Sequence, residues 1–401
     1  MSGSRPRATS ARWCAYDLRI HYPAPAYDSY RAACVQSLFN ADGIGFDLEA
    51  DLPIDTPDIA PWQIGLVVGP SGSGKSSIGA RIWGTDALRG AVRWPSDVPI
   101  IDAIAPESAG GSWQQATAAL SAVGLGDVPA WLRPFRVLST GQKFRASLAR
   151  LICEAPARAV VDEFTSVVDR QTAKVGASAF ARAWRATGGQ VVLLSCHYDI
   201  VDWLCPDWIF DTAGAGFRWT RGRLRRPAVE LEICQTGWNF WPLFELHHYL
   251  RPPHMVAATC YVAFAGGVPV AHLAVSTRQG GIEARAARLV VLPDWQGIGI
   301  GTAFLNEVCR MWRAGENRFC KPMPTLFNTS HPGLCRALRR SPLWTQVSAL
   351  LHGSNKARSA RSITNSRTRS GSIAMLGKGW GYGGHFRAIQ GFRYLGEKQE
   401  V

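Results

Sequence analysis

The chain has 401 residues, 47% of them apolar, and a formal net charge of +14; this is enough sequence for two folded domains. No run of about twenty apolar residues occurs, so no transmembrane helix is expected. The ten cysteines form no C-x-x-C pair and have no histidine at zinc-ligand spacing, which argues against a disulfide framework and a structural metal. The charge is unevenly spread: residues 1–227 hold 24 Lys/Arg against 21 Asp/Glu, and residues 228–401 hold 20 against 9. A polyanionic partner for the second part, nucleic acid before membrane, is the expectation. Arg5, Arg7 and Arg12 are followed by no apolar block, so no secretory signal is read and a cytoplasmic location is expected.

In chain order, residues 13–60 read as antiparallel strands with Pro and Asp turns. Phe46 and Trp62 are aromatics that would either fill a core or stack on a base. The apolar run Ile64–Val68 then leads into Gly69-Pro70-Ser71-Gly72-Ser73-Gly74-Lys75-Ser76-Ser77 and a helix-compatible segment from Ile78. The spacing G-x-x-x-x-G-K-S is that of a phosphate-binding loop: backbone amides at a helix N-terminus face phosphate oxygens. Lys75 would reach the β- and γ-phosphates, and the Ser76 hydroxyl would sit on Mg²⁺. Pro99–Ala103 reads as a short strand and Trp113–Val123 as a helix. Leu138-Ser139-Thr140-Gly141-Gln142 precedes a further helical pattern through Leu151.

Ala159-Val160-Val161 ends in Asp162-Glu163. Two carboxylates at the end of a buried strand need a cation, so Asp162 is a candidate Mg²⁺ ligand and Glu163 a candidate for orienting or deprotonating water. Gln190–Leu194 is a strand that delivers Ser195-Cys196-His197.

In this order the motifs resemble the ATP-binding cassette (ABC) ATPases over roughly residues 44–219. Leu138–Gln142 looks like the family signature with Thr140 in place of the usual Gly. Asp162-Glu163 looks like the Walker B pair, Ser166-Val167-Val168-Asp169 like the D-loop and His197 like the switch histidine. The resemblance implies an ATP-dependent homodimer in which Ser139, Gly141 and Gln142 of one copy face the γ-phosphate held by the other. Where the family carries a coupling glutamine, this sequence offers Asp102, with Gln114 and Gln115 later.

Residues 212–227, with Gly214, Gly216, Gly222 and five arginines before Pro227, mark a domain boundary or a basic hairpin. The expected domains are therefore 1–225 and 226–401. Near the start of the second, His247, His248 and Tyr249 stand together, His248 and Tyr249 as either pocket or structural residues, with a metal at His247 and His248 left open. Cys260–Ala265 and Val268–Val275 read as a hairpin turning at Gly266-Gly267, and Arg288–Leu292 as a third strand. Gln296-Gly297-Ile298-Gly299-Ile300-Gly301 follows, then a helix over about 303–313. This is a second phosphate-cradling turn at a helix start, without a lysine. Thr325–Phe327 leads to Ser330-His331-Pro332 and a helix through Arg340. Ser330 is either the helix N-cap or, with His331, a proton donor or base.

The turn at Gln296–Gly301, with Val290 and Val291 in the strand before it, resembles motif A of the GCN5-related N-acetyltransferases, the GNAT superfamily, and implies acetyl-CoA or another acyl-CoA. A dinucleotide site competes, but no acidic residue follows at the right distance. His-His-Tyr-Leu, motif A, Ser-His-Pro and the final Phe392-Arg393-Tyr394 look like the Mom-like branch of that superfamily, which modifies DNA bases. The whole chain looks like ABC-type ATPases fused to an acetyltransferase domain.

The expected fold class is thus α/β, an N-terminal ABC-type P-loop ATPase domain followed by a C-terminal mixed α+β GNAT acyltransferase domain. Residues 352–372, rich in Ser and Arg, cannot bury a core and read as a basic arm. The expected activity is ATP-dependent acylation of an amine, on a DNA or RNA base first. A protein or small amine, or a nucleic-acid clamp or repair-type ATPase with an inert acetyltransferase fold, are the alternatives.

Overall fold

The computed structural model describes residues 16–22, 29–39, 46–54, 61–89, 93–214, 216–220, 229–248, 254–255, 257–277, 282–350 and 388–396. Tyr249, the arginine-rich stretch 221–227 and the basic arm 352–372 lie outside the described residues. The chain forms two compact units, one of residues 1–93, 155–167 and 184–225, the other of 94–154, 168–183 and 226–401.

The elements run β1 (Tyr16–Tyr22), α1 (Tyr30–Phe39), β2 (Phe46–Leu52), β3 (Ile64–Val68), α2 (Lys75–Trp83), β4 (Leu88–Arg89), α3 (Ile100–Ile104) and α4 (Trp113–Ala122). There follow α5 (Val128–Trp131), α6 (Thr140–Glu154), β5 (Arg158–Val161), α7 (Arg170–Arg185), β6 (Gln190–Ser195), α8 (Val201–Leu204), β7 (Trp208–Asp211) and β8 (Gly216–Trp219). The remainder is β9 (Glu232–Thr236), α9 (Trp241–Glu245), β10 (Thr259–Ala265), β11 (Val268–Thr277), β12 (Ala284–Val291), α10 (Ile300–Ala314), β13 (Thr325–Thr329), α11 (Pro332–Arg340), β14 (Trp344–Leu350) and β15 (Ile389–Tyr394).

In the first unit the sheet order is β4-β5-β6-β3-β7-β8, parallel except for the β7–β8 hairpin. β3 and β6 are apolar almost throughout because both faces of a parallel sheet are covered. β1 and β2 form a separate antiparallel pair. Ile20 and Leu52 from that pair join Trp62, Ile78, Val192 and Trp208 in one core. Trp62 donates its indole N–H to the Ile54 carbonyl at 2.7 Å and stacks on Trp83 at 5.7 Å, so it is a core aromatic. Gly214, Gly216 and Arg218 belong to the β7–β8 hairpin.

In the second unit the order is β14-β15-β13-β12-β11-β10-β9, antiparallel except for β12–β13. The β10–β11 hairpin turns at Gly266-Gly267, whose φ values of 56° and 79° suit a type I′ turn. α10 buries Phe304, Leu305, Val308 and Trp312, and the Trp312 indole donates to the Tyr261 hydroxyl at 3.0 Å. Two expectations fail: within residues 13–60, read as antiparallel strands, residues 30–39 form the helix α1 between β1 and β2, and Pro99–Ala103 is not a strand, residues 100–104 forming α3. Ile100, Ala103 and Ile104 are its buried residues, a three-to-four-residue period that only a helix places on one face.

Candidate functional site

The loop between β3 and α2 is held by local geometry. Gly72 and Gly74 sit at φ 81°, where a Cβ is strained, and Gly74 caps α2. A Cβ on Gly69 would lie 1.8 Å from Thr212 Oγ1, whereas one on Gly72 would meet none of the described residues within 4 Å. The loop is thus packed at its base and open at its crest. Lys75 Nζ donates to the carbonyls of Gly69 at 2.9 Å and Pro70 at 2.6 Å, folding the ammonium back over the loop. Ser71 and Ser76 are exposed and Ser77 is half-buried. A Cβ on Gly79 would come within 3 Å of Leu194 and Val160, so α2 lies tight on β5 and β6.

Past β5, Glu163 takes φ 50°, its amide donates to Asp162 Oδ1 at 2.8 Å, and its side chain is exposed. The Phe164 amide donates to the Leu194 carbonyl at 2.8 Å, tying this turn to the end of β6. There the half-buried His197 donates its amide to Ser195 Oγ at 3.1 Å. The exposed hydroxyl of Ser76 and the carboxylate of the half-buried Asp162 are the hard donors Mg²⁺ takes, and the open amide crest suits polyphosphate.

Ser139 and Gln142 form a reciprocal pair: the Ser139 amide donates to Gln142 Oε1 at 3.1 Å, and the Gln142 amide to Ser139 Oγ at 3.3 Å. This is a capping box at the start of α6, so these signature residues also have a local structural task. Gln142 Nε2 further donates to Asp127 Oδ2 at 3.2 Å. Asp102 is exposed on α3, and Gln115 Nε2 donates to the Cys153 carbonyl at 3.4 Å.

In the second unit β12 and β13 pair only at Ala284↔Thr325, Arg285↔Leu326 and Ala286↔Phe327, then part. At the same level β12 carries a bulge, where the register against β11 slips and Arg288 adopts φ 55°. Its guanidinium lies 5.1 Å from the Trp238 ring and 5.6 Å from Trp241. Gly297 and Gly299, both at φ 94°, bring the chain round into α10, with Gly299 as cap. Thr302 Oγ1 donates to the Gly299 carbonyl at 2.8 Å. Gln296 Nε2 donates to the Val291 carbonyl at 2.8 Å, pinning the turn to β12.

A cavity of about 660 Å³ opens here, lined by Val290, Val291, Gln296, Gly297, Gly299 and Gly301 among others. This volume is in the range of roughly 300–1,000 Å³ usual for small-molecule sites. Arg182, Arg288, Arg336, Arg339 and Arg340 also line it, and among the described residues no carboxylate does. Glycine amides at a helix start among arginines fit a pyrophosphate-bearing cofactor such as acyl-CoA.

His247 and the buried His248 line the cavity, the latter with its ring 5.7 Å from Trp241. Among the described residues no group of three or more His, Cys, Asp or Glu is placed to hold a metal. His331, and not Ser330, is the N-cap of α11, accepting the Leu334 amide at Nδ1 at 3.3 Å. Burial pushes the His331 pKa down, a hydrogen bond with the Gly126 backbone opposing this. Among the described residues the buried Ser330 Oγ has no hydrogen-bond partner, and Ser330 is not one of those that line the cavity. Arg288 and Arg182 escaped the sequence because a strand bulge and a hydrogen bond to a residue more than a hundred positions away leave no local signature.

The acetyltransferase (GNAT) domain family matches residues 257–337. The chain is 35% identical over 170 residues to the cytochrome c biogenesis ATP-binding export protein CcmA of Rhodospirillum rubrum, covering 35% of this chain and 71% of that protein. Among solved structures, the dimeric bacterial ABC transporter cassette MJ0796 matches at 14% identity and a TM-score of 0.35, over 46% of this chain and 95% of that one. CbiO1 from Clostridium perfringens, part of an ABC transporter complex, matches at 15% identity and a TM-score of 0.32, over 42% and 76%. No helix among the described residues is long and apolar enough to cross a membrane.

Proposed function

Because the chain belongs to the ATP-binding cassette ATPases through its N-terminal part and carries a GNAT acetyltransferase domain over 257–337, we propose that it is an ATP-dependent acyltransferase acting on an amine of a nucleic-acid base. The observation that carries the acyl-transfer half is the parting of β12 from β13 beside the Gly297–Gly301 turn, in a cavity walled by arginines. Acyl-CoA, when bound, supplies the thioester. The amides of Gly297, Gly299 and Gly301 hold its pyrophosphate, and Val290 and Val291 line its acyl arm. In this reading His248 takes the proton that the attacking amine nitrogen loses as its bond to the acyl carbon forms, and the coenzyme leaves as its thiolate when the carbon–sulfur bond breaks. His331, with Nδ1 committed as a cap and its ring bonded to Gly126, is a positioning residue in this reading. Ser330, away from the cavity lining, supplies no proton.

In the ATPase half, Gly69, Ser71, Gly72, Gly74, Lys75 and Ser77 hold the phosphates. Ser76 and Asp162 hold Mg²⁺, which neutralises phosphate charge. Glu163 orients water and His197 senses the γ-phosphate. Two copies close on ATP through Ser139, Gly141 and Gln142 of each, in the cytoplasm. The domains run 1–225 and 226–401, and the excess of cations after residue 227 draws the polymer.

The test is ATP hydrolysis by the purified chain with double-stranded DNA, single-stranded DNA or tRNA, followed by transfer of labelled acetyl groups to the same polymer. Stimulation by one polymer and label on its bases are expected. Label on protein or small amines alone overturns the acceptor, and no acetyl-CoA binding overturns the transferase.

A further inference from the structure

The glycine turn that faces the cavity is built against the helical segment that carries the signature, within one compact unit. A Cβ on Gly297 would lie 2.9 Å from the Gly124 Cα, and one on Gly124 would lie 2.3 Å from the Gln296 carbonyl oxygen; only two glycines allow so close a backbone approach. The Gly126 amide donates to Gln296 Oε1 at 2.8 Å, so the carboxamide that pins the turn to β12 is shared with the loop after α4. Asp127, the next residue, accepts from Gln142 of the signature at 3.2 Å. Arg182 of α7 donates to the Gly297 carbonyl.

Thr172 joins the two sites most directly. A Cβ on the signature Gly141 would be 3.4 Å from its methyl group. Its hydroxyl donates to Asp294 Oδ1 at 3.0 Å, just before the glycine turn, and its amide donates to Asp169 Oδ1 at 2.9 Å. Gln114, Thr117 and Ser121 of α4 also line the cavity.

We propose that the signature-bearing helical segment forms one wall of the acyl-CoA site, and that ATP at the signature and acyl-CoA at the glycine turn change each other's affinity through Thr172–Asp294 and Asp127–Gln142. The inference rests on the two ligand assignments proposed above. Such linkage is reciprocal by thermodynamic necessity and typically spans roughly 5- to 150-fold.

The experiment titrates acetyl-CoA into the full-length Glu163→Gln chain with and without Mg·ATP, and ATP with and without acetyl-CoA. Each ligand is expected to change the other's Kd at least about fivefold, by equal factors. Thr172→Val with Asp127→Ala should bring both factors to one while each ligand alone binds as before; Thr172→Ser, which keeps the hydroxyl, should retain the coupling and guards against a folding artefact. Both ligands binding with no mutual effect overturns the inference alone, as does coupling that survives the double variant. Failure of either ligand to bind in any state overturns the functional assignment, and the inference with it.

Discussion

Arg145, only 2% exposed, donates from Nη1 to the Gly124 carbonyl at 2.6 Å. A buried cation therefore holds the turn that meets the second glycine loop. Burial lowers its pKa to about 10, with Asp294 and Asp169 pulling the other way. Arg145→Met should leave the Gly124 carbonyl unsatisfied and cost about 2–3 kcal/mol, read as a lower urea midpoint.

His272 is fully buried beside Trp238, Trp241 and Phe244. Burial first, reinforced by the charges of Arg288 and His248, lowers its pKa from 6.5 to about 4. A depressed folded pKa gives stability that is present above the unfolded value and lost as pH falls toward the folded one. Between pH 7 and pH 5 the loss should be about 2 kcal/mol, and His272→Leu should remove that part of the slope. Urea midpoints at the two pH values decide it.

Gly299 sits at φ 94° as the cap of α10. Gly299→Val should impose about 1–2 kcal/mol of strain and weaken acetyl-CoA binding at least about tenfold, while ATP hydrolysis by the same protein persists. Unchanged acetyl-CoA affinity would remove the turn from the site.

The capping box of Ser139 and Gln142 predicts that Gln142→Ala lowers stability by about 1 kcal/mol. If Gln142 also faces nucleotide, hydrolysis should fall by more than that stability change explains. Thermal melts and steady-state ATPase rates on one preparation separate the two roles.

Lys75→Ala should reduce hydrolysis at least about a hundredfold through weakened ATP binding, while Glu163→Gln should stop turnover and keep ATP bound. Gel filtration with ATP should then show a dimer for Glu163→Gln and a monomer for Lys75→Ala.

The sequence by itself determined the local elements of both sites. The phosphate loop, the strand ending in Asp162-Glu163, the Gly266-Gly267 hairpin and the Gln296–Gly301 turn are written in short-range rules of backbone sterics, hydrophobic period and turn chemistry. Such rules failed over short apolar stretches: residues 100–104 satisfy a strand until their buried face is seen. They also offered Ser330 as the N-cap of α11, which is His331, since either residue can cap a helix that begins at Pro332. Only the tertiary structure decided what depends on residues far apart in the chain. The bulge at Arg288 and its stack on Trp238 arise from strand register and packing. The approach of Gly124 to Gly297, and the pivot of Thr172 between Gly141 and Asp294, join segments more than a hundred residues apart or on separate helices. No local propensity encodes such contacts, because their free energy comes from excluding water and pairing polar groups between elements that meet only when the chain is folded.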